Sequence, residues 1–213
     1  MPKKKLQRFA ELDTLANVAQ ISQNDIKKKL QGFLTEKPLI LELGCGRGEY
    51  TISLAKQYPE KQFIGVDIQG ERLWFGAKYA LEKKLKNVMF LRLQVENLAE
   101  YFENNSITEI WITFPDPFPR KRQIKKRLTS PRFLELYQQT LEKDGSVHLK
   151  TDDFNLFTYS QESVKDFGEQ ILEKIDNNHS DNHKGLHLDT KTYYEKIHLQ
   201  GGKAIYYLKF SLK

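Results

Sequence analysis

The sequence predicts an α/β fold in which a mostly parallel sheet carries helices on both faces and ends in an antiparallel edge. Strand-like and helix-like patterns alternate from residue 39 to residue 152, and such alternation is typical of parallel sheets. A glycine-rich turn joins the first strand of this series to its helix. The last two strand-like segments, Gly168–Asp176 and Ala204–Leu212, have no helical pattern between them, so we expect them to pair antiparallel at the sheet edge.

The spacing of apolar residues predicts the individual elements. Residues 1–20 have no strong period, so we expect an irregular arm there. A short helix follows, capped by Asn24 or Asp25 and ending at Phe33, and Pro38 prevents its continuation. Buried strands are predicted at Leu39–Leu43, Gln62–Asp67, Val88–Leu93, Ile107–Phe114 and Val147–Lys150. Helices are predicted at Gly48–Tyr58, Gly70–Lys84, Val95–Phe102, Pro131–Leu141 and Asp152–Phe167, with a loop over residues 115–128 and a turn at Lys143–Ser146.

Bulk composition excludes several classes of protein. A length of 213 residues suits one domain with short extensions, and 29% charged residues with no long apolar run argue against a membrane protein. The basic start of the chain is not followed by an apolar stretch, so we do not expect a signal peptide there. The single cysteine, Cys45, is consistent with a reducing cytoplasm, where we expect the protein to act. A net charge of +6 favours an anionic partner.

The turn after the first buried strand indicates a cofactor. Gly44, Gly46 and Gly48 fall at every second position, and glycine permits backbone angles and close approaches that other residues do not. The spacing is G-x-G-x-G, whereas dinucleotide-binding turns have G-x-G-x-x-G, and the last position of that pattern is occupied here by Glu49. A nucleoside cofactor without a pyrophosphate therefore fits better. We interpret Cys45 as a small residue packed in the turn.

Polar residues follow the predicted strands at the edge where ligands of parallel sheets collect. They are Glu42, Asp67, Gln94, Asp116 and Asp152. Asp67 ends the second strand, where a carboxylate accepts hydrogen bonds from both ribose hydroxyls of a nucleoside.

Asp116 lies between three prolines, which restrict the backbone and so present the carboxylate rigidly. An acid beside the aromatic Phe118 suits a flat base, because the ring stacks and the carboxylate accepts from ring N–H groups. Six of the next residues, between Arg120 and Arg127, are basic. A basic run beside a base-binding acid predicts contacts with nucleic-acid phosphates.

Three histidines, His179, His183 and His187, are spaced by four residues. The residues between them are typical of a loop, and neither cysteine nor carboxylate completes a usual ligand set. We therefore predict no metal site.

These motifs resemble those of the bacterial tRNA (guanine-N7-)-methyltransferases, a family that methylates guanosine 46 in the tRNA variable loop. The most specific element is Pro115-Asp116-Pro117-Phe118-Pro119-Arg120-Lys121-Arg122, followed by Lys125-Lys126-Arg127-Leu128. It is similar to the family signature P-D-P-W-P-K-K-R…K-R-R-L. Further matches are Leu41–Gly46, Lys150-Thr151-Asp152 and Thr192-Tyr193-Tyr194-Glu195.

The resemblance implies a Rossmann-like class I methyltransferase fold and a role for each matched position. S-adenosylmethionine would be bound by Glu42, Gly44, Gly46, Gly48, Asp67, Gln94 and Asp116. Asp116 would also be the catalytic active-site carboxylate. The substrate guanosine would be bound by Arg120, Asp152, Thr192, Tyr193, Tyr194 and Glu195. The tRNA backbone would be contacted by Lys121, Arg122, Lys125, Lys126 and Arg127.

The chain departs from the family pattern at three of these positions. Gln94 stands where the family usually has Asp, Phe118 replaces Trp, and Arg120 replaces Lys. The implied organisation is an N-terminal basic arm and short helix over residues 1–37 and a methyltransferase domain over residues 38–213. The implied partner is tRNA, without a membrane, and the protein would be a monomer or homodimer.

Three other functions remain open from sequence alone. A methyltransferase acting on an exocyclic amine usually has Asn/Asp-Pro-Pro-aromatic after the fourth strand, and Asp116-Pro117-Phe118 lacks the second adjacent proline. An NAD-dependent oxidoreductase is disfavoured by the glycine spacing. A non-catalytic RNA-binding homologue is disfavoured by the intact acids Glu42, Asp67 and Asp116.

Overall fold

The computed structural model describes residues 3–20, 26–176 and 204–212, and the chain divides into two compact units, Met1–Tyr101 and Phe102–Lys213. None of the helices in these described ranges has the length and apolar character that a membrane crossing needs. The first unit contains helices α1 (Lys3–Leu12), α2 (Ile26–Phe33), α3 (Glu49–Gln57) and α4 (Gly70–Glu82), a 3₁₀ helix (Val95–Glu100), and strands β1 (Val18–Gln20), β2 (Leu39–Leu43), β3 (Gln62–Asp67) and β4 (Val88–Arg92).

The strands of the first unit are parallel and lie in the order β1-β4-β3-β2. Every residue of β2 and β3 is buried, as is typical of the strands of a parallel sheet. The register pairs Glu42 with Gly65 and Asp67 with Arg92. The turn after β2, the end of β3 and the segment after β4 therefore lie at the same edge.

The N-terminal segment differs from the predicted irregular arm. Residues Lys3–Leu12 form α1, and β1 pairs with β4. The helix is held by α4: Arg8 donates to Glu71 at 2.9 Å, and Glu11 accepts from the indole of Trp74 at 3.0 Å. Leu12 is fully buried. These partners lie about 60 residues away, so the local pattern of apolar residues did not reveal them. The boundary predicted at residue 38 remains a prediction.

The second unit contains strands β5 (Ile107–Thr113), β6 (Leu141–Thr151), β7 (Ile171–Ile175) and β8 (Tyr206–Ser211), helices α5 (Pro131–Thr140) and α6 (Phe154–Asp166), and a 3₁₀ helix (Lys121–Lys126). Its strand order is β5-β6-β8-β7. The pair β5–β6 is parallel, whereas β8 is antiparallel to both β6 and β7. The predicted α/β class and its antiparallel C-terminal strands are confirmed.

Two local predictions in this unit were wrong. The segment predicted as a turn at Lys143–Ser146 lies within β6. It is an irregular part of that strand, since Ile107 of β5 pairs with Leu141 whereas Glu109 already pairs with Ser146. Part of the predicted loop over residues 115–128 is the 3₁₀ helix Lys121–Lys126. Its residues satisfy their backbone groups locally, with the Arg127 N–H donating to the Ile124 carbonyl at 3.0 Å.

A buried polar network lies across β5, β6 and β8. The imidazole of His148 is hydrogen-bonded to Ser146 Oγ and to the Tyr207 hydroxyl, each at 2.9 Å, and it stacks on Trp111 with ring centroids 4.0 Å apart. Burial raises the pKa of the Tyr207 phenol, and the nearby charges of Glu173 and Glu109 raise it further. The phenol therefore stays neutral at ordinary pH.

Candidate active site

The glycine turn after β2 has the backbone geometry that its sequence predicted. Gly44, Gly46 and Gly48 have φ angles of 70°, 56° and 67°, a region that L-residues with a side chain rarely adopt. The N–H groups of Gly44 and Cys45 donate to the Val66 carbonyl at 2.8 and 3.1 Å. The turn is therefore tied to β3 by backbone hydrogen bonds, and its conformation is defined by the protein itself.

The three glycines serve different purposes. A Cβ added at Gly44 or Gly46 would meet no atom within 4 Å, whereas one added at Gly48 would lie 2.3 Å from Phe90 Cε1. Gly48 is therefore required by packing against β4. The space beside Gly44 and Gly46 is open, and a ligand can approach the main chain there. This cradle has the features that a nucleoside cofactor requires.

Two buried carboxylates brace the cradle. Glu42 is 4% exposed, and its carboxylate accepts from the backbone N–H of Thr51 at 2.8 Å and from the Thr51 hydroxyl. Asp67 is 8% exposed, and it accepts from the Gly46 N–H at 2.8 Å through one oxygen and from the Gln69 N–H at 2.8 Å through the other. Asp67 thus connects the end of β3 to the middle of the turn.

Cys45 packs inside the turn, in agreement with its interpretation from the sequence as a small packed residue. Its side chain is buried, and a Cβ at Gly65 would lie 2.9 Å from its Sγ. Burial raises the pKa of the Cys45 thiol well above its usual range, and the charges of Glu42 and Asp67 raise it further. A thiol of this kind remains protonated and is a poor nucleophile.

Two exposed side chains lie at the same edge of the first unit. Gln94, one of the predicted cofactor ligands, follows β4 and is exposed at the start of the 3₁₀ helix. Ile68, directly after Asp67, is 53% exposed. Sequence reasoning missed Ile68, although an apolar residue immediately after a strand-end acid was a visible signal. An exposed apolar side chain beside a strand-end carboxylate is suited to cover a flat ring.

In the second unit, the proline-framed acid is exposed on a constrained backbone. Asp116 is exposed, and the aromatic residues on either side of it, Phe114 and Phe118, have φ angles of 49° and 43°. Bulky residues are outliers at positive φ. The Phe114 N–H donates to the Lys150 carbonyl at 2.8 Å, which ties this segment to the end of β6.

The basic run separates into an outward and an inward set. The exposed side chains are those of Arg120, Lys121, Arg122, Lys125 and Lys126. Arg127 is only 7% exposed, and its guanidinium donates to the carbonyls of Pro117 and Phe118. A guanidinium that donates to internal carbonyls is not presented to an external phosphate in this structure, and the contact of Arg127 with the tRNA backbone stays a prediction.

The remaining predicted substrate residues are only partly described. Asp152 follows β6 and is half-buried, next to Asp153, whose carboxylate caps α6 by accepting from the Leu156 N–H at 2.7 Å. The predicted stretch Thr192–Glu195 lies outside the described residues, as do the three histidines spaced by four. The expectation that these histidines bind no metal stays a prediction.

Comparison with known proteins identifies the fold and the family. A family model described as "Putative methyltransferase" matches residues 36–208. Among solved structures, the 16S rRNA methyltransferase KamB superposes with a TM-score of 0.65 at 13% identity, covering 90% of this chain and 94% of that one. A SAM-dependent methyltransferase from Aquifex aeolicus superposes at 0.58 and 14% identity, covering 96% and 98%. At such identities these likenesses show the fold alone, which is that of class I S-adenosylmethionine-dependent methyltransferases.

Curated relatives identify the family within this class of methyltransferases. A tRNA (guanine-N(7)-)-methyltransferase of Christiangramia forsetii is 41% identical over 225 residues, with 99% of each chain covered. The protein of the same name from Porphyromonas gingivalis is 46% identical over 184 residues, covering 84% of this chain and 73% of its own. The chain belongs to the tRNA (guanine-N7-)-methyltransferase family.

Proposed function

We propose that this protein transfers the methyl group of S-adenosylmethionine to N7 of guanosine 46 in the variable loop of tRNA. The observation that carries the proposal is the open cradle at Gly44 and Gly46, braced by buried acids, in a chain whose relatives of similar length bear the corresponding name. The exposed Asp116 and the five exposed cations after it supply a base-binding acid and a phosphate-binding surface.

The cradle residues would divide the cofactor between them. The open main chain at Gly44 and Gly46 would admit the amino-acid part of the cofactor, and Asp67 would accept from the ribose hydroxyls. Ile68 would lie against the adenine, and Gln94 would hydrogen-bond its edge. Glu42 acts mainly by holding the start of α3 through Thr51. When bound, S-adenosylmethionine supplies an electrophilic sulfonium methyl.

The chemistry requires positioning more than proton transfer. Guanine N7 has a free lone pair and no proton, so no general base is needed to expose the nucleophile. As the N7–methyl bond forms, the sulfur–methyl bond would break and leave a neutral thioether, so the guanine ring gains the positive charge that the sulfonium loses. Asp116 would accept from N1–H and from the 2-amino group, which increases electron density at N7 and stabilises the forming cation. Asp152 and Arg120 would hold the guanosine, as would residues 192–195.

Transfer of labelled methyl to tRNA, with the modified base and position identified, tests the proposal. We expect N7-methylguanosine at position 46 and no transfer to a tRNA with adenosine at that position. Methylation of an exocyclic amine would replace this proposal with the rival chemistry, and cofactor binding without transfer would indicate a non-catalytic homologue.

Asp116→Ala tests the role of the acid. We expect at least a hundredfold lower turnover, of the order seen when one preorganised electrostatic group is removed, with S-adenosylmethionine affinity within about threefold of wild type. Asp144→Ala, which removes an exposed carboxylate in the irregular part of β6, is the matched control and should behave as wild type. Near-normal turnover in Asp116→Ala would contradict the assigned role.

A further inference from the structure

The segment that carries Asp116 needs support from elsewhere in the second unit. Phe114 and Phe118 both have positive φ angles, and such conformations persist in bulky residues only when the surroundings hold them. The Phe114 N–H is held by the Lys150 carbonyl. Pro115, Pro117 and Pro119 have no N–H to donate, so at these three positions a backbone hydrogen bond can anchor the segment only through a carbonyl oxygen.

Arg127 supplies that anchor. Its Nε donates to the Pro117 carbonyl at 2.9 Å, and its Nη2 donates to the Phe118 carbonyl at 3.3 Å. The guanidinium carbon lies 4.4 Å from the centre of the Tyr159 ring on α6. A planar fork that stacks on an aromatic ring and reaches two consecutive carbonyls is a geometry that lysine does not reproduce.

We propose that Arg127 is a positioning residue for Asp116, and the proposal rests on the proposed function of that acid. Arg127 holds the two carbonyls that follow Asp116 and so limits rotation of the backbone that carries the carboxylate. Arg127 also directly follows the basic 3₁₀ helix Lys121–Lys126. The same side chain therefore joins the phosphate-binding surface to the acid that binds the base.

Kinetics of Arg127→Lys test the proposal, because this change keeps the charge and removes the fork. We expect kcat to fall at least tenfold, while KM for S-adenosylmethionine, tRNA affinity and the salt dependence of tRNA binding stay within twofold of wild type. Lys126→Met is the comparison for a phosphate contact, and it should weaken tRNA binding and reduce the salt slope. Lys143→Met, an exposed lysine in β6, is the control and should match wild type.

Two further variants distinguish loss of the Arg127 contacts from misfolding of the Arg127→Lys protein. In Arg127→Ala, added guanidinium at millimolar concentration should restore part of kcat, whereas sodium chloride at the same ionic strength should not. Tyr159→Leu removes the ring beneath the guanidinium and should lower kcat in the same direction as Arg127→Lys. An unchanged kcat in Arg127→Lys, or a loss confined to tRNA affinity with a reduced salt slope, would overturn the proposal.

An activity-independent measurement separates this inference from the proposed function. Trypsin cleavage after the exposed cations of residues 120–126, mapped by mass spectrometry, should be several-fold faster in Arg127→Lys than in wild type or Lys143→Met. If wild type fails to methylate tRNA while cleavage behaves as expected, the proposed function is wrong and the anchor stands. Equal cleavage rates in an active wild type and in Arg127→Lys would refute the anchor alone.

Discussion

Alanine substitutions in the glycine turn should separate packing from cofactor access. In Gly48→Ala, the new Cβ would lie 2.3 Å from Phe90 Cε1 at a φ of 67°. The left-handed backbone costs about 1–2 kcal/mol and overpacking about 1–3 kcal/mol, so we expect a loss of about 2–5 kcal/mol in unfolding free energy. For a chain of this size that corresponds to a fall in Tm of about 4–20 °C.

Gly46→Ala should have the opposite balance of effects. Its Cβ would meet no protein atom within 4 Å, so only the backbone cost of about 1–2 kcal/mol applies. That strain is present in both the free and the bound protein, so it cancels in the binding free energy. Any loss of S-adenosylmethionine affinity therefore reports the space that the methyl group occupies. We expect at least a tenfold weaker Kd, which is about 1.4 kcal/mol.

Urea unfolding and calorimetric titration with S-adenosylmethionine measure the two quantities. Gly32→Ala is the control, because Gly32 lies in α2, has no positive φ and has open space around its Cβ. It should raise stability by about 0.5–1 kcal/mol and leave the Kd unchanged. The reasoning is refuted if Gly46→Ala binds S-adenosylmethionine as wild type does, or if it loses as much stability as Gly48→Ala.

Three other predictions concern the surface and the buried titratable groups. Salt dependence of tRNA binding should flatten, with a slope smaller by about 2–3, when three exposed cations are neutralised together, namely Arg122, Lys125 and Lys126; an unchanged slope would assign the helix a structural role. The raised pKa of Tyr207 means that the unfolded chain loses this proton at lower pH than the folded protein. Stability should therefore be intact below about pH 10 and fall above it by up to about 1.4 kcal/mol per pH unit. Tyr207→Phe should remove that part of the slope in unfolding curves recorded from pH 8 to 11. The buried Cys45 thiol should react with a thiol reagent at pH 8 at least a hundredfold more slowly in the folded protein than in urea, and equal rates would contradict its placement.

The sequence alone was sufficient where the determining contacts are local. Short apolar runs that alternate with helical patterns predicted β2 to β5. The antiparallel C-terminal strands were predicted from the lack of a helical pattern between them. The glycines of the turn at residues 44–48 predicted positive φ angles, because no other residue adopts such angles as readily. The prolines around Asp116 likewise predicted a constrained, exposed acid. In each case the cause lies within a few residues of its effect.

Tertiary structure decided which members of a motif serve which purpose. All three glycines look alike in sequence, but only Gly48 meets Phe90, a residue more than 40 positions away. All six cations after Asp116 look alike as well, but Arg127 turns inward to Pro117, Phe118 and Tyr159. Contacts between residues distant in the chain leave no local period or spacing. For that reason the sequence indicated the glycine turn and the basic run, and only the folded chain distinguished the residues with open surroundings from those that pack against the protein.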